Sequence, residues 1–392
     1  MASNRSGSIC DTDIEFRWFE NTLNDKLGGE CEIKDVYEIG KGKGFNSQIF
    51  RVALQWKELE HDLPQSVILK VCSVNPDRNG RLKPEEQKLR KCHNAECDLY
   101  EMFDPQHQPI PVPTCYYTQK MIRTKQFSIT NGVIIMQEIT DGVLVPVTVG
   151  LGHDQLIAFS EMMARLHTYA LVYETWKGKD DIKVNTSKIG RVCENYLGML
   201  QSAIDTLKAK FGDFFDPQLD KLIDVYNSLD ADLLRDACAA LNDKFNIPRV
   251  LVQGDMWISN LLWKKDHEGK ATDQLVSVID FQLTHPGCIV EDFTDLFTTS
   301  LTTETRRKYT NEVLEHYYIK LRKELDQQPP FTRATLFEAY KECFKLQVLM
   351  LIPAFAHFPQ QDQLLGDSKE KKMPELLQRA KDLIEDAVGY CQ

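Results

Sequence analysis

Residues 250–263 read Val-Leu-Val-Gln-Gly-Asp-Met-Trp-Ile-Ser-Asn-Leu-Leu-Trp, and residues 274–282 read Gln-Leu-Val-Ser-Val-Ile-Asp-Phe-Gln. Each segment contains an apolar run, and a polar turn lies between the two runs. If the runs pair as an antiparallel hairpin, its open end brings Asn260, at the start of the first run, next to Asp280, at the end of the second. Asp255 lies on a loop leading into the same end. The pattern therefore predicts that two carboxylates and one carboxamide converge.

Such a cluster suits magnesium and phosphate chemistry. Mg²⁺ prefers oxygen ligands and keeps part of its coordination shell for water and phosphate oxygens. In phosphoryl transfer, one Asp lies beside the nucleophile while an Asn and a second Asp hold metal. Asp and Asn also cap turns and end strands for purely structural reasons, so any one of them alone carries little weight. The three together favour phosphoryl transfer.

A second signal lies in the first third of the chain. Lys70 interrupts the apolar run at residues 67–71, where an unpaired ammonium is costly to desolvate. Residues 84–103 have a helical pattern, and Glu96 falls within its apolar stripe. Glu96 has the same desolvation cost with the opposite charge, so an ion pair between Lys70 and Glu96 compensates both charges. Such a pair points the ammonium at nucleotide phosphates. The alternative is a lysine that reaches solvent from an edge strand and a glutamate at the rim of its helix face.

The third signal is a glycine-rich turn between two strand-like runs. Gly40, Gly42 and Gly44 give the backbone freedom and room to approach phosphates closely. Their spacing matches neither the dinucleotide-binding fingerprint nor the Walker A loop. The position of the turn, ahead of the Lys70 strand, is what makes it informative.

The order of the patterns predicts the fold class. Strand-like runs dominate the first third of the chain and helical patterns dominate from Asp154 onward, which indicates an α+β protein rather than alternating βαβ units. A chain of 392 residues is also expected to form two lobes. We predict a nucleotide-binding lobe of antiparallel sheet plus helix at residues 1–138. We predict a larger, mainly helical lobe at residues 139–392, with the catalytic loop, the metal site and the acceptor pocket.

Composition excludes several other classes. The net charge of −11 argues against a nucleic-acid binder. The start of the chain does not resemble a secretory signal. The apolar stretches elsewhere in the chain are too short to span a membrane. Eleven cysteines without a C-x-x-C pair fit reduced thiols, so we predict a cytoplasmic protein. A metal site at Cys92, His93 and Cys97 is not favoured, because the two cysteines point in different directions on a helix.

These motifs, in this order, resemble the choline/aminoglycoside kinase group. More narrowly, the chain is similar to the CHK kinase-like or ecdysteroid kinase-like family. The family signatures G-D-x-W-x-x-N and D-F-Q stand here at residues 254–260 and 280–282. The similarity covers roughly residues 13 to 390.

The resemblance implies a two-lobed protein-kinase-like fold and an ATP- and Mg²⁺-dependent phosphotransferase that acts on a hydroxyl of a small molecule. It implies Asp255 as the catalytic base, with Lys70 on the α- and β-phosphates and Glu96 orienting that lysine. It implies Asn260 and Asp280 as the Mg²⁺ ligands.

Further residues follow from the same resemblance. The glycine loop would cover the phosphates, and Asp292 would support the catalytic loop. The family usually has a His where this chain has Gln253, and a Gln amide also donates and accepts hydrogen bonds. His167 and His285 are interpreted as structural. The hinge whose backbone would meet adenine comprises Met136, Gln137, Glu138 and Ile139.

The acceptor is expected to be choline-, aminoglycoside- or ecdysteroid-like rather than a protein. Only eleven residues separate Asp280 from Asp292, too few for the activation and peptide-docking segment of protein kinases. Residues 172–245 and helices around 331–358 are predicted to shape the pocket, which is expected to be mostly apolar. The candidate aromatic lining of the pocket comprises Tyr196, Phe211, Phe214, Phe215, Phe355 and Phe358. These aromatic residues could equally be ordinary core residues.

Two other functions remain open from the sequence. One is a catalytically silent kinase-like protein that binds a nucleotide or metabolite, which Gln253 favours. The other is a metal-dependent phosphoesterase, which leaves the glycine loop and the buried Lys70 without a role.

Overall fold

The computed structural model describes residues 7–39, 47–57, 63–77, 81–103, 108–124, 128–185, 196–215, 218–229, 237–357 and 369–391, together with Asp232. The chain divides into two compact units. The first unit comprises Met1–Gln108 and Val112–Thr140, and the second comprises Pro109–Pro111 and Asp141–Gln392.

The described residues of the first unit form an antiparallel sheet and two helices. Its strands pair in the order β1-β2-β3-β5-β4, and every neighbouring pair is antiparallel. The elements are α1 (Phe16–Leu27), β1 (Cys31–Ile39), β2 (Gln48–Trp56), β3 (Ser66–Cys72), α2 (Pro84–Met102), β4 (Cys115–Gln119) and β5 (Gly132–Gln137).

Strand β3 lies in the middle of this sheet and decides where Lys70 points. Val67, Leu69 and Val71 are buried in one apolar core that includes side chains of α1 and β1. Because successive side chains of a strand alternate between faces, Lys70 lies on the opposite face. Helix α2 contacts β3, β4 and β5.

The second unit is mainly helical. Short 3₁₀ turns lie at Thr175–Gly178, Gly212–Phe214 and Ile258–Asn260. Its strands are β6 (Gly142–Val143), β7 (Val250–Val252), β8 (Leu261–Lys265), β9 (Ala271–Val278) and β10 (His285–Gly287). Its helices are α3 (His153–Tyr173), α4 (Asp180–Val184), α5 (Tyr196–Phe211), α6 (Gln218–Asn227), α7 (Ala237–Phe245), α8 (Glu291–Ser300), α9 (Thr303–Leu325), α10 (Arg333–His357) and α11 (Lys369–Gly389).

Two small sheets carry the motif-bearing segments. Strands β8 and β9 form the predicted antiparallel hairpin, with β6 on the other edge of β8. Separately, β7 pairs antiparallel with β10. The predicted α+β class is confirmed: the first unit is formed by an antiparallel sheet plus helix, and the second unit is larger and mainly helical.

A buried aromatic cluster joins α3, α8 and α9. The rings of Phe159, Phe293 and Tyr317 make edge-to-face contacts. His167 Nδ1 lies 2.7 Å from the Tyr317 hydroxyl oxygen, and burial lowers the pKa of His167 to about 3. The imidazole is therefore neutral at neutral pH and belongs to the core, in agreement with its interpretation as structural.

Several boundaries differ from the sequence prediction. The apolar run before the glycine-rich turn predicts a strand that begins at Val36, whereas β1 begins at Cys31, because Cys31 and Ile33 alternate with polar residues that face solvent. The sequence pattern predicts a helix over residues 331–352, whereas α10 continues through Pro353 to His357. The described residues of the helical pattern at 217–245 include the separate helices α6 and α7.

Helix α11 was not predicted from the sequence. Its many charged residues make its apolar stripe difficult to recognise. The stripe has helical spacing and is formed by Ala380, Leu383, Ile384 and Ala387, all of which are buried.

Among the described residues, none of the helices combines the length and the apolarity that crossing a membrane requires.

Candidate active site

The first unit contains one candidate group, the buried ion pair of Lys70 and Glu96. Lys70 Nζ donates to Glu96 Oε2 at 2.7 Å, and the two side chains are only 6% and 1% exposed. Each charge is thereby compensated, whereas removal of one partner would leave the other buried without its counter-charge. The structure thus brings together the two residues that the sequence pattern pairs.

Buried polar side chains hold the helix that carries Glu96. The Asn94 carboxamide accepts from the Met121 backbone N–H at 2.8 Å and donates to the Met121 carbonyl at 3.3 Å. His93 Nε2 donates to the Gln119 carbonyl at 2.9 Å. These bonds tie α2 to the end of β4, and they fix the rotation of the helix that points Glu96 at Lys70.

His93 is buried and closely packed. Burial lowers its pKa to about 4, so the ring is neutral at neutral pH. A Cβ at Gly132 would lie 2.3 Å from His93 Nε2, which explains the glycine. Cys97 Sγ lies 3.4 Å from the same nitrogen, and burial raises the pKa of the Cys97 thiol. Within the described ranges, no three His, Cys, Asp or Glu residues are grouped so as to hold a metal ion.

The predicted hinge includes the last two residues of β5, and its side chains anchor the strand end. Arg51 Nε donates to Glu138 Oε1 at 2.7 Å, and the Ser66 hydroxyl donates to the same carboxylate. Gln137 exchanges hydrogen bonds with the backbone of Thr114. Met136 and Ile139 flank these two residues. Gly40, Gly42 and Gly44 lie outside the described residues.

The second unit contains its own candidate group, the hairpin site, which comprises Asp255, Asn260 and Asp280. In the β8–β9 hairpin, Leu261 pairs with Val278, and the Ile279 N–H donates to the Asn260 carbonyl at 3.0 Å. This pairing places Asn260 and Asp280 at the same open end. Asn260 Nδ2 donates to the Asp255 carbonyl at 2.8 Å and lies 3.4 Å from Asp255 Oδ2.

Gln253 joins the two halves of the hairpin site. Its Oε1 accepts from the Asp255 N–H at 2.7 Å. Its Nε2 donates to the Ile279 carbonyl at 3.1 Å and to the Asp280 carbonyl at 2.7 Å. The residue that departs from the family pattern therefore bridges the loop of Asp255 and the strand end of Asp280.

Asp292, in the first turn of α8, binds the backbone of the loop that leads to Asp255. Its two carboxylate oxygens accept from the backbone N–H groups of Gln253 and Gly254, each at 2.9 Å. Burial raises the pKa of Asp292 to about 7, and these two hydrogen bonds oppose the shift. Gly254 has φ +82°, and a Cβ there would lie 2.3 Å from the Leu283 carbonyl oxygen, so only glycine fits.

His285 supports the segment after Asp280. Its Nδ1 lies 2.7 Å from the Leu283 carbonyl oxygen, and its Nε2 lies 3.1 Å from Glu291 Oε2. Glu291 Oε1 accepts from the Cys288 N–H at 2.5 Å. Because its ring is fully buried and its nitrogens face these partners, His285 acts as a structural residue.

Three supporting residues were missed by sequence reasoning. Asn185 Nδ2 donates to the carbonyls of Gln282 at 3.1 Å and Thr284 at 2.9 Å. Ser300 Oγ accepts from the Ile258 N–H at 2.9 Å. The third is Glu291. These residues lie far from the motifs or outside any recognisable spacing, so no local pattern could have revealed them.

The hairpin site offers ligands of the type that Mg²⁺ prefers. Asn260 Nδ2 is bonded to the Asp255 carbonyl, which leaves the side-chain oxygen of Asn260 as the atom that a metal ion could use. Asp280 contributes a carboxylate that is partly exposed. An all-oxygen donor set with access to water fits Mg²⁺ better than a softer metal.

The aromatic residues proposed for the acceptor pocket have different environments. Tyr196 and Phe215 are buried, and the Tyr196 hydroxyl donates to the Leu349 carbonyl. Phe214 is 38% exposed, and its ring makes an edge-to-face contact with the ring of Phe215. Phe358 lies outside the described residues. Tyr196 and Phe215 therefore belong to the core of the second unit.

Sequence comparisons match most of the chain. A family profile, DUF1679, described as "Uncharacterized oxidoreductase dhs-27", matches residues 4–391. The Caenorhabditis elegans protein "Uncharacterized oxidoreductase dhs-27" is 26% identical over an alignment of 336 positions, and the match covers 79% of this chain but only 38% of that protein. The C. elegans "Uncharacterized kinase-like protein D1044.1" is 24% identical over an alignment of 314 positions, and the match covers 76% of each chain.

Similar solved structures include choline kinase from Cryptosporidium parvum Iowa II, with 12% identity, a TM-score of 0.49 and coverage of 90% of this chain and 91% of that one. Another is the gentamicin complex of APH(2″)-IIa, with 17% identity, a TM-score of 0.43 and coverage of 95% and 99%.

Proposed function

This chain belongs to the DUF1679 family of CHK kinase-like proteins, and we propose that it is a small-molecule kinase that transfers a phosphoryl group from ATP, with Mg²⁺, to a hydroxyl group. The observation that carries the proposal is the hairpin site. Asp255, Asn260 and Asp280 are held within one hydrogen-bonded network by Gln253 and Asp292.

We assign the proton-accepting role to Asp255. Its backbone N–H and carbonyl are fixed by Gln253 and Asn260, so the loop presents the carboxylate in a defined position. The residue is partly exposed, so an acceptor hydroxyl can reach it. A positioned carboxylate orients such a hydroxyl and takes its proton as the bond to phosphorus forms.

We assign metal binding to Asn260 and Asp280. When bound, Mg²⁺ supplies positive charge that neutralises the phosphate oxygens. Asp280 offsets part of the metal charge, and Asn260 adds a neutral oxygen ligand. The network around Gln253 keeps the two side chains at the open end of the hairpin.

We assign phosphate binding to Lys70, with Glu96 as its positioning residue. The 2.7 Å pair holds the ammonium in one place within a buried site. The glycine loop at residues 40–44 is proposed to cover the phosphates. The backbone at residues 136–139 is proposed to contact adenine, at a strand end fixed by Arg51 and Glu138.

A double-mutant cycle tests the coupling of Lys70 and Glu96. We expect Lys70→Met and Glu96→Gln each to lower kcat/KM for ATP by about 100-fold, an effect that corresponds to about 2.7 kcal/mol. The double variant should be little worse than the more severe single variant, because both changes disable the same phosphate contact. Steady-state kinetics over a range of ATP concentrations supply the four values.

The matched control is the exposed pair Lys57 and Glu30 in the same unit, whose side chains are 61% and 66% exposed. Lys57→Met and Glu30→Gln should leave kcat/KM nearly unchanged, because exposed ion pairs contribute little. Fully additive losses at Lys70 and Glu96 would show that the buried pair does not act as a unit.

The acceptor is proposed to be a choline-, aminoglycoside- or ecdysteroid-like alcohol that binds among residues 172–245 and 331–358. We expect the purified protein to transfer label from [γ-³²P]ATP to small molecules of a metabolite extract. A protein mixture incubated in parallel should remain unlabelled. Transfer confined to proteins would contradict the acceptor class, and ATP binding without any transfer would support the catalytically silent alternative.

The oxidoreductase description of the family does not carry over to the proposed reaction. This chain matches only 38% of the length of the relative that bears the name. Glycines 40, 42 and 44 are spaced G-x-G-x-G, whereas a dinucleotide-binding loop reads G-x-G-x-x-G. A phosphoesterase, in turn, would have no use for the buried Lys70–Glu96 pair.

A further inference from the structure

The side chain of Gln253 has a complete set of hydrogen-bond partners. The residue is 1% exposed, and three backbone groups surround its carboxamide. One is a donor, the N–H of Asp255, and two are acceptors, the carbonyls of Ile279 and Asp280. A carboxamide has two N–H donors and one carbonyl acceptor, so it matches all three partners at once.

The bond to Asp280 has an additional consequence. Asp280 has φ +61°, in the left-handed region that is unfavourable for a residue other than glycine. Gln253 Nε2 donates to the carbonyl of this residue at 2.7 Å. The hydrogen bond therefore stabilises the backbone conformation that sets the direction of the Asp280 side chain.

We propose that Gln253 is a positioning residue whose carboxamide sets the loop of the base Asp255 against the strand end of the metal ligand Asp280. The inference rests on the proposed function of these two residues. The family resemblance leads one to expect His at position 253. It follows that His could not replace Gln253 in this role in this chain.

Counting donors and acceptors supports this inference. A neutral imidazole has one N–H donor and one acceptor, so one of the two carbonyls loses its partner. A protonated imidazole has two donors and no acceptor, so the Asp255 N–H loses its partner. A glutamate at position 253 could accept from Asp255 but would face both carbonyls without a donor. A buried polar group that is left unpaired is destabilising, so the local backbone is expected to shift until the group finds a partner.

The kinetic test compares Gln253→His and Gln253→Glu with the wild-type protein. We expect kcat to fall by about 10- to 100-fold in Gln253→His and further in Gln253→Glu, since small displacements of reacting groups have effects of this size. KM for ATP should change by a smaller factor than kcat, because the Lys70–Glu96 pair is unchanged. Gln274→His and Gln274→Glu, on the exposed part of β9, are matched controls and should retain wild-type kcat.

Thermal unfolding separates positioning from simple destabilisation. Assays are run well below the melting temperature of every variant, so that loss of folded protein does not contribute. Wild-type or higher kcat in Gln253→His would overturn the inference. So would a loss of kcat that disappears when activity is corrected for the folded fraction.

A hydrogen-exchange measurement tests the inference independently of activity. In the wild-type protein the Asp255 amide is protected by Gln253, and the Gly254 amide is protected by Asp292. We expect Gln253→His to speed exchange at Asp255 and leave Gly254 protected. Unchanged protection at Asp255 would overturn the inference. If the wild-type protein transfers no phosphate to any acceptor, the proposed function fails, and this comparison still decides the positioning role.

Discussion

Asp255→Asn should lower kcat by about 10²- to 10⁴-fold, the range expected when a general base is removed. The replacement is nearly isosteric, and its side-chain oxygen can still accept from Asn260 Nδ2, which lies 3.4 Å from Asp255 Oδ2. The loop is therefore expected to keep its backbone bonds to Gln253 and Asn260. Without the carboxylate, the acceptor hydroxyl loses both its orientation and its proton acceptor.

The measurement for Asp255→Asn pairs steady-state turnover with ATP binding by calorimetry. ATP affinity should stay within about threefold of the wild-type value, because Asp255 is assigned to the acceptor hydroxyl and the proposed contacts to ATP are kept. Asp273→Asn, an exposed position on β9, provides a control with the same change of charge. Turnover that is equal in the Asp255 and Asp273 variants would remove Asp255 from the role of base.

Asp280→Asn should weaken Mg²⁺-dependent nucleotide binding by at least about tenfold, or ~1.4 kcal/mol. The change removes the carboxylate charge that offsets the metal. Asn is preferred to Ala here because Asp280 has φ +61°, a conformation that Asn tolerates better than other non-glycine residues. The backbone bond from Gln253 should then persist.

Nucleotide affinity is titrated against Mg²⁺ for Asp280→Asn and for Asn260→Ala. Asn260→Ala should have the smaller effect on Mg²⁺ dependence, because a carboxamide does not offset charge. With EDTA present, Asp280→Asn should bind nucleotide no more weakly than the wild-type protein. An equal or reversed ranking with Mg²⁺, or a defect that persists in EDTA, would contradict the metal role of Asp280.

The sequence was sufficient for elements specified by local patterns. The β8–β9 hairpin follows from two apolar runs flanking a polar turn, and its register places Asn260 near Asp280. The pair of Lys70 and Glu96 follows from desolvation, because each charge stands in an apolar pattern and needs an opposite charge. The segregation of strands and helices likewise predicts the fold class, which the structure confirms.

Other elements were not predictable because their signal is weak or interrupted. Strand β7 has three residues and pairs with the three-residue β10, so neither shows a recognisable alternation. Helix α11 carries many charges that mask its apolar stripe. Helix α10 contains Pro353, which suggests a break that packing in the second unit overrides.

The sequence by itself therefore determined the fold class, the hairpin and the candidate chemistry of Asp255, Asn260 and Asp280. Only the tertiary structure decided how these residues are held. The Gln253 carboxamide satisfies three backbone groups, and Asn185 reaches carbonyls almost a hundred residues away in the chain. Such bonds go to backbone N–H and carbonyl groups, which every residue other than proline carries in the same form. No pattern of side chains along the chain records which of them will meet.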